Sequence, residues 1–508
     1  MDRKWWTLVA VCTATFMLLL DITIVNVALP SIETSLGASF SDLQWVVDAY
    51  ALALATCVLT AGSLADLFGR KRLFLLGILL FTIASAICGA AQEPLWLILA
   101  RGVQGIGGSM MFATALALLS QEFHGKERGT AFGVWGATVG AAVAVGPLAG
   151  GMLTSWLSWR WIFFVNIPIG AAAIVLAFAQ LHESKDPEHS RLDPVGLVTL
   201  TGGLFCLILA LIEGNRHGWS STLIVALFAA AAVVLTLFVA SQTRAGTTMI
   251  DLSLFARPAF AGAQITAFTI SASMFAMFLY LTLYLQDILG LSPVATGVRF
   301  LPISLLSFVA APIAGRLSAR APIRLLLGVG LALNAIALWL WSGISVDSGW
   351  TTLLPGFVVG GIGIGMVNAP LASTAVSTVR QERAGMASGI NNTFRQLGIA
   401  TGIAALGAIF QSRVDAKVAS SLHGLKNAKQ IAQAVTSGQA NEAIASVPGP
   451  MRAHVALVAK ASFISGLNDI LVVGAIVAAV GAVLAAALVR RKDFVASGRP
   501  AEAEPAGA

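Results

Sequence analysis

Apolar residues gather into fourteen stretches along this chain, separated by short polar or charged segments. Their bounds are 7–29, 43–65, 73–91, 95–118, 129–152, 161–181, 194–213, 220–241, 259–286, 297–315, 323–343, 352–376, 385–410 and 466–489. Runs this long and uncharged predict helices across a bilayer, because a helix closes its own backbone hydrogen bonds where water cannot. Composition agrees. Mean hydropathy is +0.85, and 11% of residues are charged, less than half of the roughly 25% usual in soluble chains. The first stretch has spanning length and lacks a small-residue cleavage site, so it reads as a span and not as a signal peptide. The expected fold class is an all-α polytopic membrane protein.

The segments between spans set orientation. With the N-terminus inside, the inner segments and tails hold twenty Lys/Arg, among them Arg70, Lys71, Arg72, Lys126, Arg128, Arg316, Arg320, Arg380 and Arg383. The short outer segments hold two, Arg160 and Arg216. That asymmetry predicts a multi-pass protein of the cell membrane with both termini cytoplasmic. Nine of the twelve tryptophans fall near predicted outer ends, as interfacial anchors do. Because the net charge of +7 sits mostly beside spans, it does not read as a nucleic-acid surface. Cys12, Cys57, Cys88 and Cys206 all lie within spans and read as packing residues. The six histidines lie at span ends or in loops, with no pair at metal spacing, so no metal is expected. No Gly-x-x-x-x-Gly-Lys-Ser/Thr loop is present, no cofactor is indicated, and no nucleophile–base constellation marks an enzyme.

The chain also repeats itself. Gly62 aligns with Gly315, Gly105-Ile-Gly107 with Gly361-Ile-Gly363, and Glu127-Arg128 with Glu382-Arg383, at offsets of 253 to 256. Two six-span halves follow, 1–181 and 259–490, with two inserted spans in 182–258 and a tail at 491–508. Parallel repeats of this kind place a substrate path at the interface between halves. Segment 411–465, polar and alanine-rich with Pro448-Gly-Pro450, reads as a long outer surface loop containing two short amphipathic helices.

Six motifs then mark the chain. The segment Gly62-Ser-Leu-Ala-Asp66-Leu-Phe-Gly69-Arg70-Lys71-Arg72 resembles the inter-helix signature of the major facilitator superfamily. Asp21-Ile-Thr-Ile-Val-Asn26 through Pro30 resembles the span 1 motif of its fourteen-span drug:proton antiporters. Arg101-Gly-Val-Gln104-Gly105 and Gly140 through Gly146-Pro147-Leu-Ala-Gly150-Gly151 resemble the span 4 and span 5 motifs. Trp159 through Asn166-Ile-Pro168 and Gly385 through Gly389-Ile-Asn391-Asn392 are similar to that subgroup as well. The resemblance covers residues 7–490. It implies two six-helix bundles plus two inserted helices, and a secondary transporter that exports lipophilic or amphiphilic molecules in exchange for protons. A dedicated exporter of one metabolite, such as an antibiotic, siderophore or lipid, is the alternative within transport. A receptor or scaffold on the same fold is another class.

Physical roles attach to particular residues. Glycines at 62 and 69 allow close approach and a tight turn. Asp66 suits a helix N-terminus and pairing with a cation such as Arg128, making a conformational latch with Arg70; Lys71 and Arg72 read as anchors. Asp21, Asp48 and Arg101 place charge in the outer half of the first bundle, where a charge in hydrocarbon costs at least about 2.5–3.5 kcal/mol. Desolvation and a like-charged neighbour both favour a neutral carboxylate, which is the chemistry of a proton carrier. Against that stands a static buried ion pair, or Asp21 capping a broken helix near Pro30. Asp48 departs from the family pattern, where a small polar residue is usual. Span 5 carries Gly140, Gly146, Pro147, Gly150 and Gly151, suited to close packing or to a seal between halves. Asn26, Gln104, Asn368, Asn391, Asn392 and Arg395 are the candidate substrate path. Arg395, near mid-membrane, suits a substrate with an anionic or carbonyl-rich face, with a structural salt bridge as the competing reading. The lipid bilayer, protons and a small-molecule substrate are the partners expected; oligomeric state is left open. Richness in alanine and glycine suits a GC-rich bacterial genome.

Overall fold

The apolar stretches fold as helices that stop at the glycines, prolines and polar residues between them. The computed structural model describes residues 2–185, 192–244, 249–318, 320–422, 428–437, 444–445 and 447–490. It describes their side chains except those of Phe40, Lys126, Val143, Ala144, Pro147, Arg244, Pro293 and Ser437. The first half comprises α1 (Arg3–Leu36), α2 (Phe40–Phe68), α3 (Arg70–Ala90), α4 (Pro94–Glu122), α5 (Gly125–Trp156), α6 (Trp161–Phe164) and α7 (Asn166–Gln180). The inserted pair is α8 (Pro194–His217) and α9 (Thr222–Arg244).

The second half opens with α10 (Pro258–Ile270), which continues through a π-helical turn into α11 (Ala276–Leu283) and a second π turn, Tyr284–Ile288. After these come α12 (Pro293–Leu317), α13 (Ile323–Trp341), α14 (Leu354–Ser377), α15 (Ala384–Ser421), α16 (Ala428–Ser437) and α17 (Gly449–Leu488). Thirteen helices among the described residues are long and apolar enough to cross a membrane. The 32-residue α5 is outside that thirteen and occupies the place of the fifth expected span.

Each half buries its own apolar core. Residues such as Phe74, Phe81, Phe132 and Trp135 fill the first, and Tyr284, Trp341, Phe357 and Phe410 the second. A separate cluster joins Leu59 of α2, Leu204 of α8, Phe238 of α9 and Ile390 of α15. The inserted pair therefore packs along the seam where α2 of one half meets α15 of the other.

Segment 411–465 differs from the loop expected. Helix α15 runs on to Ser421, α16 is the first short amphipathic helix, and Pro448 caps α17 instead of interrupting a loop. Val414, Val418, Ile431, Val435 and Val455 are buried in the second core, so the extension is packed structure. Alanine dilutes its hydropathy below a spanning signal while leaving one face to bury. The 491–508 tail, Arg191 and Ala319 lie outside the described residues.

Candidate functional site

Three helices of the first half and the start of a fourth meet at Asp21, which is wholly buried on α1. Arg101 of α4 donates to its Oδ2 as an ion pair. Gln104, one turn further along α4, donates to Oδ1 at 2.9 Å, and Asn166 at the start of α7 does so at 3.0 Å. The guanidinium also donates to the Val46 carbonyl of α2 at 3.1 Å and to Gln104 Oε1 at 2.9 Å, and lies 4.1 Å from the Tyr50 ring centroid. Asn166 is itself held to Ser85 of α3 at 3.0 Å. A buried ionised pair is tolerable only with its remaining lone pairs and protons satisfied, and this network supplies that. Both Asp21 and Arg101 were legible as charges in hydrocarbon. Asn166 and Tyr50 were not singled out, although a polar residue beside a span's proline was a usable signal. Gln104 belongs to this cluster; its Oε1 and Nε2 are engaged there.

Asp48 is elsewhere. It faces Arg216 of α8 at 2.8 Å, and Arg216 also pairs with Glu213 at 2.7 Å. It is thus paired with a cation of the inserted helix and not with Asp21. Both partners are about a quarter exposed. Glu213, buried in the last turn of α8, was overlooked because it ends an otherwise apolar span.

The signature loop joins the halves. Asp66 Oδ1 accepts from Arg70 Nε at 3.0 Å, Arg70 Nη2 at 2.8 Å and the Gly385 amide at 3.0 Å, while Oδ2 accepts from the Met386 amide at 2.7 Å. Those two amides belong to the first turn of α15, where backbone donors lack helical partners and a negative charge is favoured. Arg70 Nη2 continues to the carbonyls of Gln381, at 2.8 Å, and Glu382. An acid of the first half thus caps a helix of the second. Gly69 turns α2 into α3 at φ +113°, a conformation glycine favours, and an added Cβ would strike the Glu183 carboxylate that caps α3. The partner of Asp66 is Arg70, not Arg128 as expected. Arg128 instead crosses to the Ser373 carbonyl of α14 at 3.5 Å, because its helix lies against the other side of the interface.

Glycines make that interface close. An added Cβ at Gly62 would lie 2.5 Å from the Gly385 carbonyl oxygen. The repeat-related contact is Gly315 of α12 against Gly129 of α5, backbone on backbone. Along α5, Gly133 meets Pro312, Gly140 meets Ser307 and Gly151 meets Val294, all across the halves. Gly146 and Gly150 face the other way, onto Thr23 and Ile24 of α1, and Pro147 lies between them in the helix. One motif therefore touches both the other half and the helix bearing Asp21.

The remaining candidates separate into two groups. Arg395 donates to Asn368 Oδ1 at 3.1 Å, Asn391 to Gln264 Oε1 at 3.1 Å, and Asn392 to the Phe112 carbonyl of the first half at 3.0 Å. These are buried together on and around α15, and Gln264 is a further polar residue that sequence reasoning passed over. Asn26 stands apart, exposed, with a 3.5 Å bond to its own helix. Among the described residues no group of His, Cys, Asp or Glu is arranged to hold a metal.

Comparison with known proteins places this arrangement. The family model described as the Major Facilitator Superfamily matches residues 11–403. The tetracenomycin C resistance and export protein of Streptomyces glaucescens is 34% identical over 491 residues, spanning 95% of this chain and 91% of its own. Multidrug resistance protein Stp of Mycobacterium tuberculosis is 36% identical over 81% of this chain and 76% of its own. The puromycin resistance protein pur8 of Streptomyces alboniger is 37% identical over 80% and 82%. Among solved structures, the human organic anion transporter MFSD10 aligns with a TM-score of 0.60 at 14% identity, over 94% of this chain and all of its own. A bacterial homologue of the lysosomal transporter Spinster, in an inward-facing conformation, aligns with a TM-score of 0.56 at 17% identity, over 98% of this chain and all of its own. Those two likenesses concern the fold. This chain, with its duplicated bundles and its glycine-hinged interface, belongs to the Major Facilitator Superfamily.

Proposed function

We propose that the protein is a proton-coupled exporter of lipophilic or amphiphilic small molecules in a bacterial cell membrane, working by alternating access. The observation that carries the coupling is Asp21, a wholly buried carboxylate held by Arg101, Gln104 and Asn166. Protonation removes its charge, and the guanidinium then loses its counter-ion and its reason to hold α4 against α1. Thr23 and Ile24, next on α1, press on Gly146 and Gly150 of α5, whose other edge packs on α12. A shift of α1 is thereby passed to the interface between halves. Asp66 latches the end bearing the 62–72 loop, which the Lys/Arg asymmetry assigns to the cytoplasm. This arrangement corresponds to a state closed on that side.

Export is supported by relatives whose names describe resistance and export. A relative matched over 95% of the chain is named for a single compound, tetracenomycin C, which favours a narrow range as the second reading. A resistance screen in an efflux-deficient host separates broad from narrow range. Protein in liposomes that releases protons when given a compound it protects against supports the coupling; export indifferent to an imposed pH gradient would sink it.

A further inference from the structure

Among the described residues three arginines are buried in the helical core: Arg70, Arg101 and Arg395. The first two each have a carboxylate, Asp66 and Asp21. Arg395 has the neutral oxygen of Asn368, and its Nε has no partner. The sequence explains the difference: α12, α13 and α14 contain no Asp or Glu, and α15 contains none before Asp415. An amide dipole satisfies one N–H but leaves the positive charge uncompensated, in a setting where desolvation makes that costly. Around it other polar atoms are also unengaged. Asn368 Nδ2 and Gln264 Nε2 are buried donors without partners, and Asn391 and Asn392 each have an unpartnered Oδ1. Asn391 lies one turn before Arg395 on α15, and Asn392 reaches the first half through Phe112. The donor set therefore borders the interface between halves, where alternating access brings a substrate.

We propose that Arg395 and Asn368 form the recognition point for an organic anion, an amphiphile whose carboxylate, enolate or phenolate oxygen supplies the missing counter-charge. Arg395 presents charge-assisted N–H donors in a fixed plane, and Asn368 Nδ2 adds a neutral donor to the same oxygen. A cationic substrate meets like charge here and is disfavoured at this point of the path. This assignment rests on the exporter reading and narrows it.

The test is binding of two aromatic probes of opposite charge, fluorescein and ethidium, to the full-length protein in lipid nanodiscs. Fluorescein is expected to bind wild type. Arg395→Gln should weaken it by about 10- to 100-fold, the range for removing a charged hydrogen-bond donor, with Arg395→Lys recovering part of the loss. Asn368→Asp is the sharper variant, because it gives the guanidinium a carboxylate of the protein's own while keeping Arg395 in place. It should weaken fluorescein at least as much and leave the fold at least as stable. Unchanged fluorescein affinity in Asn368→Asp, or an equal fall for ethidium in that variant, overturns the proposal. Export of ethidium by a wild-type protein that binds no fluorescein would overturn the anion assignment and leave the exporter standing. Wild-type protein that transports neither probe, and protects a host against no compound, would instead defeat the exporter reading.

Discussion

Replacing Asp21 with asparagine preserves the shape of the side chain and removes its charge, so it separates coupling from architecture. Substrate binding should survive in Asp21→Asn, while pH-driven export and substrate-induced proton release are lost; pH-driven flux at the wild-type rate would refute a coupling role. Arg101→Ala asks a different question, because it strands a wholly buried carboxylate. Breaking a buried pair from one side costs about 3–5 kcal/mol, more than most single substitutions. Thermal unfolding in detergent should show that loss, and adding Asp21→Asn should return most of it, because the stranded charge is then gone. If the double variant is no more stable than Arg101→Ala, the pair is not the source of the cost. These charges were legible because hydrocarbon makes any ionisable residue conspicuous. Their partners were less so. Asp66 meets amides 319 and 320 residues away, and no local pattern signals a helix capped from the opposite half.

The inserted helix α8 does at element scale what these pairs do at residue scale. Near its C-terminal end Arg216 reaches Asp48 of α2, and Asn215 donates to the Ala404 carbonyl of α15 at 3.2 Å. Near its other end Thr201 bonds Thr60 of α2 at 2.8 Å. The helix thus holds both sides of the α2–α15 seam. If the Asp48–Arg216 bridge is such a brace, Asp48→Asn and Arg216→Gln remove one interaction and should slow export to a similar, partial extent. A partly exposed bridge contributes up to about 1 kcal/mol, so thermal unfolding should hardly move. Export abolished by Asp48→Asn alone would instead make Asp48 a proton carrier in its own right. Spans were readable because the bilayer demands long apolar runs, which few other sequences satisfy. The 411–465 extension was not, since Val414, Val418 and Val435 bury one face of alanine-rich helices whose average hydropathy stays low. The split of the span 5 motif was likewise invisible, because glycine spacing does not say which neighbour each glycine meets.

For the molecule as a whole, the two halves close at the loop end through backbone contacts at two repeat-related places, Gly62 with Gly385 and Gly129 with Gly315. Only the first also has an acid, Asp66; the second has Pro322 where Gly69 stands in the first. Closure at the second place lacks that acid and rests on the backbone fit beside the Arg128–Ser373 hydrogen bond, which makes it the point where size can bias the conformational equilibrium without touching charge. Gly129→Leu inserts a branched side chain against the Gly315 backbone, which cannot withdraw as a side chain would. The closed state should lose stability relative to the state open on that side, and each 1.4 kcal/mol of bias shifts the ratio about tenfold. Ser388 reports this, being fully buried on α15 between Gly385 and Asn391. A cysteine in its place, in a background lacking the four native cysteines, should react slowly with a membrane-impermeant thiol reagent applied from the loop side. Adding Gly129→Leu should raise that rate by about tenfold or more and reduce export in parallel, since a transporter biased to one side turns over slowly. Unchanged labelling together with normal export would mean that the glycine contact is a passive fit and that the Asp66 latch alone sets closure.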